Sequence, residues 1–477
     1  MLIIATTLGQ PSFLSYFGLD TRSNAAALLG AINGLFQVGG LIGALSCTVT
    51  ADSLGRRKAM ALASLFGIIG GGLQAGSVNV GMFIAARFIT GVGIGALVTL
   101  VPLYQSEIAP LRIRGLLVGM HGVMIGTGYA LASWVGLGFF FVNASGAQWR
   151  IPLAIQCLPP LCLAAGVMML PETPRWLLTK DRAVEAYAAY KMTRAETTDD
   201  IITNESAIRE EFDHLHGQLI QQQREAISFL DLFKRPSMRK RCIIGFLTMF
   251  GAQATATIVI NNYGPILYRS LGFNSLQQLL IASGWVSVAP FGNWINAAVV
   301  DRIGRVNMLV FGVVGCIVAL IGECITVSIF QRTGARSAAS AAVFFLFLHI
   351  GVFTLSIDAT TYIYASEIFP TPVRAKGLAV SVSGLFLATI VFLMAAPTAF
   401  DQIGWKYYLL FISLTTVITI VAVFYFPETW QRSLEDMGEL FGDAIDAVPL
   451  EGQKSETLSN LCQENEKSLD RGSGSTR

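Results

Sequence analysis

Three charged motifs occur in the first half of this chain and return, in the same order, in its second half. Asp52, Gly55, Arg56 and Arg57 are followed by Glu107 and Arg114, then by Pro171, Glu172 and Thr173. Their counterparts are Asp301, Arg302, Gly304 and Arg305, then Glu367 and Arg374, then Pro427, Glu428 and Thr429. Corresponding members lie about 250–260 residues apart, which marks a duplicated unit rather than a short-period solenoid. Nearly everything between them is apolar. An internally duplicated apolar chain whose charges gather at matched points reads as a membrane transporter.

Composition narrows the class. The chain is 53% hydrophobic and 13% charged, about half the charged share of an ordinary soluble domain. Charge is costly in hydrocarbon, so this depletion assigns most residues to lipid or to a bundle core. A net charge of +2 excludes the concentrated basic face that nucleic acid needs. Cys47, Cys157, Cys162, Cys242, Cys316 and Cys324 fall in or beside apolar stretches, and only Cys462 lies in the tail. No disulfide framework or metal-ligating spacing results. No cofactor or metal is expected, and no nucleophile–base set suggests an enzyme.

Apolar stretches of bilayer-spanning length (roughly 20 residues) run at about 25–49, 59–78, 80–103, 116–142, 151–170, 242–268, 277–300, 306–330, 338–363, 378–399 and 407–427, eleven in all. The segment before them, Met1–Gly9, is too short to cross. It also lacks the charge-flanked pattern of a cleavable signal. The organisation read from this is all-helical. Residues 1–170 form a first bundle with an incomplete first helix, 171–241 a polar linker, 242–428 a second bundle and 429–477 a tail. Surface helices are expected at Arg182–Arg194, Glu205–Glu225 and Ser433–Phe441, with a tail lacking core-forming residues after about 442. With the Asp52–Lys58 loop inside, most Lys and Arg fall on the cytoplasmic side. The linker and tail are then cytoplasmic, and Asn143 is a glycosylation sequon on the outer face.

Each part of the repeated loop has a physical use. Glycine permits a tight reversal between spans. Aspartate accepts backbone N–H groups at a helix start, and arginine keeps its charge at the membrane surface. One reading is plain topological anchoring. The other is an ion-pair latch of Glu107, Arg114, Glu172 and Arg175, matched by Glu367, Arg374 and Glu428, that holds two bundles together and breaks when the inner side opens.

These motifs resemble those of the sugar porter family of the major facilitator superfamily, especially fungal-type members. The resemblance runs from about Gln10 to Met437. It rests on Arg87 with Gly91–Gly95, Pro102–Gly115, Pro171–Trp176, Asp301–Arg305, Glu367–Gly377, Pro427–Thr429 and Ser433–Met437. It implies twelve helices in two bundles, alternating access and a helical domain from the central linker. The family's first helix ends in a Gly-Tyr-Asp stretch linked to proton coupling. Here that helix is nearly absent, which reads as a truncated gene model or a short isoform. The family's sugar contacts are altered as well. Where the resemblance implies glutamine, this chain has Gly122, and of a glutamine pair only Gln253 survives, beside Ala252. A tyrosine pair becomes Asn262–Tyr263, a tryptophan becomes Tyr362, and an Asn-Trp pair becomes Leu385–Phe386.

Polar groups nevertheless recur within the apolar stretches. Gln253, Thr257 and Asn261 are four residues apart and share a helical face, with a break expected at Gly264–Pro265. They line a cavity or bond between helices. Asp358, on the face shared with Tyr362, is an intramembrane acid. It binds hydroxyls, carries a proton or forms a structural pair. Glu323 is expected to reach the surface. Arg87 is expected to pair with acids, His121 and His349 to be satisfied core or cavity residues, and Trp285 to stack on a ligand or to pack. The candidate substrate set is therefore Gln253, Thr257, Asn261, Asn262, Tyr263, Asp358 and Tyr362. The expected activity is carriage of a small neutral polyhydroxylated solute across the plasma membrane, with or without a proton. A quinate, polyol or oligosaccharide carrier, and a non-transporting sugar receptor, are the alternatives.

Overall fold

Scarcity of charge in residues 25–170 and 242–425 requires the backbone to satisfy itself in lipid, and every element in the described residues is a helix. The computed structural model describes residues 3–109, 114–142, 144, 146–194, 208–213, 215–217, 229, 231–370, 373–430 and 440–442. Asn143, the Arg114 side chain, and most of the helices expected at Glu205–Glu225 and Ser433–Phe441 lie outside those residues.

Two short helices, α1 (Ile3–Leu8) and α2 (Pro11–Tyr16), precede α3 (Ala25–Leu54), α4 (Arg56–Ala75), α5 (Val80–Ile108) and α6 (Arg114–Phe140). A broken pair, α7 (Ala147–Ile155) and α8 (Leu158–Val167), completes the first half. The linker contributes α9 (Pro174–Thr179), α10 (Ala183–Arg194) and α11 (Asp231–Lys234). The second half holds α12 (Pro236–Ala254), α13 (Thr257–Ser270), α14 (Ser275–Ile303) and α15 (Arg305–Thr333). It ends with α16 (Arg336–Ser356), α17 (Asp358–Glu367), α18 (Arg374–Ile403) and α19 (Tyr407–Tyr425).

Nine helical stretches among the described residues are long and apolar enough to cross a membrane, one of which, Arg374–Tyr425, contains both α18 and α19. Helix α14 is long but is not one of the nine. Its Asn293 and Asn296 are fully buried, so its polar groups face protein rather than lipid. With these two adjustments the eleven expected spans all have helices.

The halves meet along two seams, α3 against α18 and α6 against α14. Small residues let the backbones approach: a methyl group added at Gly119 would lie 2.8 Å from Ala297. At the end bearing the repeated motifs, apolar side chains from both halves form one core that includes Ala51, Leu103, Ala365, Leu378 and Val382. Toward the opposite end the seam is polar. Ser133 pairs with Ser283 at 3.0 Å, Trp134 Nε1 donates to Ser287 at 2.9 Å, and Asn33 Nδ2 donates to the Tyr263 hydroxyl at 3.0 Å. In the linker, Trp176, Leu177, Ala186, Tyr190 and Phe212 build a small separate helical core.

The break in the substrate-side helix is not at Gly264–Pro265 as the sequence suggested. Pro265 lies inside α13, and the interruption comes earlier, where Ala256 adopts φ +69°. A non-glycine residue pays about 1–2 kcal/mol for that left-handed conformation. Side chains take up the carbonyls freed there. Thr255 Oγ1 donates to Ala252 O at 2.7 Å, Thr415 Oγ1 to Ala254 O at 2.8 Å, and His349 Nε2 lies 2.8 Å from Thr255 O. His349 is thus a core residue with a definite task. His349→Ala is expected to cost about 1–3 kcal/mol by stranding a buried carbonyl. His349→Gln, which keeps a donor, is expected to cost less, both read as thermal unfolding of purified protein.

Candidate functional site

The break turns the stripe of Gln253, Thr257 and Asn261 toward a central cavity of about 500 Å³ between the two halves, a size that suits a small molecule. Helix α17 brings Asp358 and Tyr362 to the same space, and α14 brings Trp285. The first half contributes Gln37 from α3, His121 from α6 and Gln156 at the end of α7. Five of the seven sequence candidates therefore converge. Asn262 and Tyr263 do not line this cavity. Asn262 donates to Ile258 O of its own helix at 2.9 Å, and Tyr263 donates to Leu393 O at 2.9 Å while accepting from Asn33. They follow the stripe by one and two positions, which rotates them off its face.

Polar atoms in this cavity are left without protein partners. Asn261 Oδ1, Gln37 Oε1, Gln156 Nε2 and His121 Nε2 are buried and unbonded. Sequence reading missed Gln37 and Gln156; both are glutamines inside apolar spans, which was the available signal. Asp358 is engaged more firmly. Asn293 Nδ2 donates to Asp358 Oδ2 at 2.8 Å and to Gly122 O at 3.0 Å, tying the acid to the α6–α14 seam. The His121 ring stands edge-on to Tyr362 at 5.3 Å. Trp285 both lines the cavity and donates to Leu346 O at 2.8 Å, so neither of its two readings is displaced.

Two other expectations are corrected. Glu323 is 2% exposed rather than at the surface, because α15 runs ten residues beyond it and neighbouring helices cover that turn. Arg87 finds no acid among the described residues: it donates to Ile32 O at 3.3 Å and Asn33 Oδ1 at 3.4 Å and stacks over Phe36.

The repeated motifs assemble the same network twice. In the first half, Arg56 forms a two-pronged bond to Glu107 (3.0 and 2.9 Å) and reaches Asp52 at 3.6 Å. Glu172 accepts the Arg56 and Arg57 N–H groups at the start of α4, at 3.1 and 3.2 Å. In the second half, Arg305 bonds Glu367 (3.0 and 2.9 Å) and Asp301 (2.7 Å). Glu428 accepts the Arg305 and Val306 N–H groups, at 2.8 and 2.9 Å. Gly55 (φ +87°) and Gly304 (φ +97°) make the reversals, and a Cβ there would sit 2.5 Å from the Glu172 carboxylate or 2.9 Å from that of Glu428. Arg175 lies within electrostatic reach of Glu107, Arg374 donates to Phe369 O at 3.4 Å, and Arg302 is exposed.

These bonds close within one half each, whereas the sequence suggested a latch between halves. The reason is geometric. Glu107 and Glu367 are captured by the arginine of their own repeat and Glu172 and Glu428 by its helix start, and an apolar core shared by both halves packs at the same end.

Comparison with known proteins agrees with this architecture. The family model "Sugar (and other) transporter" matches residues 1–441. The chain belongs to the sugar transporter family. It is 32% identical over 448 residues to the MFS-type transporter criB of Aspergillus cristatus, covering 92% of this chain and 89% of that one. It is 30% identical over 460 residues to the quinate permease of Neurospora terricola (92% and 84% covered). It is 29% identical over 435 residues to the sugar transporter STL1 of Saccharomyces cerevisiae (90% and 74% covered). The proton:xylose symporter XylE bound to 6-bromo-6-deoxy-D-glucose superposes with TM-score 0.79 at 21% identity, covering 92% of this chain and 95% of that one. The inward-open form of the xylose transporter XylE from E. coli gives 0.68 at 21% identity, covering 92% and 96%. The protein is an integral membrane transporter of the major facilitator fold, not an enzyme.

The twin networks make a quantitative prediction. Glu428→Ala removes a carboxylate holding two helix-start N–H groups and is expected to cost about 2–3 kcal/mol. Asp301→Ala, at a half-exposed position, is expected to cost under ~1 kcal/mol. Thermal unfolding of the two variants side by side checks the order.

Proposed function

We propose that this transporter moves a small neutral polyhydroxylated solute across the plasma membrane by rocking its two halves around the central cavity. One observation carries the reading: Gln37, His121, Gln156 and Asn261, each with a buried polar atom that has no protein partner, line one space from both halves. Neutral donors and acceptors of this kind suit hydroxyl groups. The linker and tail then lie on the cytoplasmic side, as the distribution of Lys and Arg favours.

The described lining includes Asp358 but no lysine or arginine. A carboxylate solute such as quinate would meet no positive charge there and one acid, so a neutral sugar or polyol is preferred. The permease relatives keep a quinate-type solute as the second reading. We further propose that Asp358 carries a coupling proton. It is the only acid lining this cavity among the described residues, and its bond to Asn293 links its protonation state to the seam between the halves.

Uptake into vesicles loaded with the full chain tests this directly. Accumulation of labelled hexose or polyol, competed by neutral polyols and not by quinate, is the expected result; binding without accumulation identifies a receptor instead. Asp358→Asn retains the Asn293 partner but not the titratable group. It is expected to abolish proton-driven accumulation while leaving the protein correctly inserted and able to exchange bound solute. Unchanged accumulation removes Asp358 from the mechanism.

A further inference from the structure

A second cavity, of about 470 Å³, lies toward the end opposite the repeated motifs. Residues from both halves line it: Ala25, Ala26 and Leu29 of α3, together with parts of α13, α15, α18 and α19 and the turn at Gly404–Trp405. Tyr263, held by Asn33 and Leu393 O, lines it as well. The cavity is distinct from the central one in residues and in chemistry.

Two of the residues that line it each carry a buried polar atom without a partner. Glu323 is 2% exposed and its Oε2 has no hydrogen bond, and Tyr408 is 2% exposed with its hydroxyl unbonded. Among the described residues, the titratable groups within electrostatic range of Glu323 are Tyr268 of α13, Tyr408 of α19 and Cys324, the next residue on its own helix. Asp401 adds a second, exposed acid to the lining. No lysine, arginine or histidine is among the described lining residues. A buried carboxylate is costly unless a positive charge or a set of donors reaches it or it takes up a proton, and the described residues supply neither charge nor donors.

The volume exceeds what a bare metal ion fills, and no group of three or more metal-ligating side chains occurs among the described residues. Aromatic rings of Phe400, Trp405 and Tyr408 border the space and offer faces that attract organic cations. We propose that this cavity binds a small organic ammonium ion, its N–H groups donating to Glu323 and the Tyr408 hydroxyl and its carbon body lying against Phe400 and Trp405. Because the cavity touches both halves, its occupancy stabilises the arrangement in which α3 stands against α13 and α18.

Titration of n-butylammonium chloride into the full chain in lipid nanodiscs, followed by thermal unfolding and tryptophan fluorescence, tests the proposal. Sodium chloride at matched ionic strength and 1-butanol, the uncharged isostere, are the controls. A saturable upward shift with butylammonium alone is expected. Glu323→Gln should weaken the apparent affinity at least about tenfold and Tyr408→Phe several-fold, while Asp358→Asn in the central cavity leaves it unchanged. An equal shift with butanol or sodium overturns the proposal, as does sensitivity to Asp358→Asn in place of Glu323→Gln. If Glu323→Gln does not fold, Tyr408→Phe decides alone, and parental affinity in that variant rejects the site.

Discussion

Within hydrocarbon a backbone carbonyl has no water to accept from, so any interruption of a spanning helix must be closed by protein groups. The break at Thr255–Ala256 is the point on which this structure turns. Three carbonyls are freed there, and Thr255, Thr415 of α19 and His349 of α16 each take one. The break is thereby tied to α16 and α19, and the direction of α13 is fixed. That direction decides which side of the helix faces the central cavity, and hence why Thr257 and Asn261 line it while Asn262 and Tyr263 do not.

The duplicated motifs solve a different problem by the same logic. Each sharp reversal at Gly55 or Gly304 exposes the first N–H groups of the helix that follows. A glutamate from the end of the same half, Glu172 or Glu428, accepts them. The neighbouring arginine then pairs with a carboxylate, the buried Glu107 or the half-buried Glu367. Each half so acquires a stiff charged end. Rigidity within a half and apolar contact between halves suit a carrier, because apolar surfaces can separate and re-form without stranding a charge in lipid.

Much of this was legible in the chain itself. The period-four stripe identified Gln253, Thr257 and Asn261, and the intramembrane acid identified Asp358. Repetition of Gly-Arg beside a distant Pro-Glu-Thr identified the charged ends. Errors followed a pattern. Pro265 looked like the break because proline is the visible breaker, yet its missing N–H was tolerated and Ala256 took the strained conformation. Glu323 looked superficial because distance from the span's end was counted along the sequence, whereas burial depends on which helices pack over that turn. Arg87 was assigned an acid because charge suggests charge, but a ring face and two oxygens in the fold met its needs.

Sequence by itself determined the all-helical membrane architecture, its two halves and the chemistry at the ends of each, because those follow from local periodicity and from the cost of charge in lipid. Tertiary structure alone decided whether the repeated ion pairs lie within or between halves, and which polar side chains are left without partners. Both depend on helix rotation and on contacts between residues more than a hundred positions apart. A rotation of one residue, about 100° on a helix, moves a side chain from cavity to core, and no spacing along the chain fixes that angle.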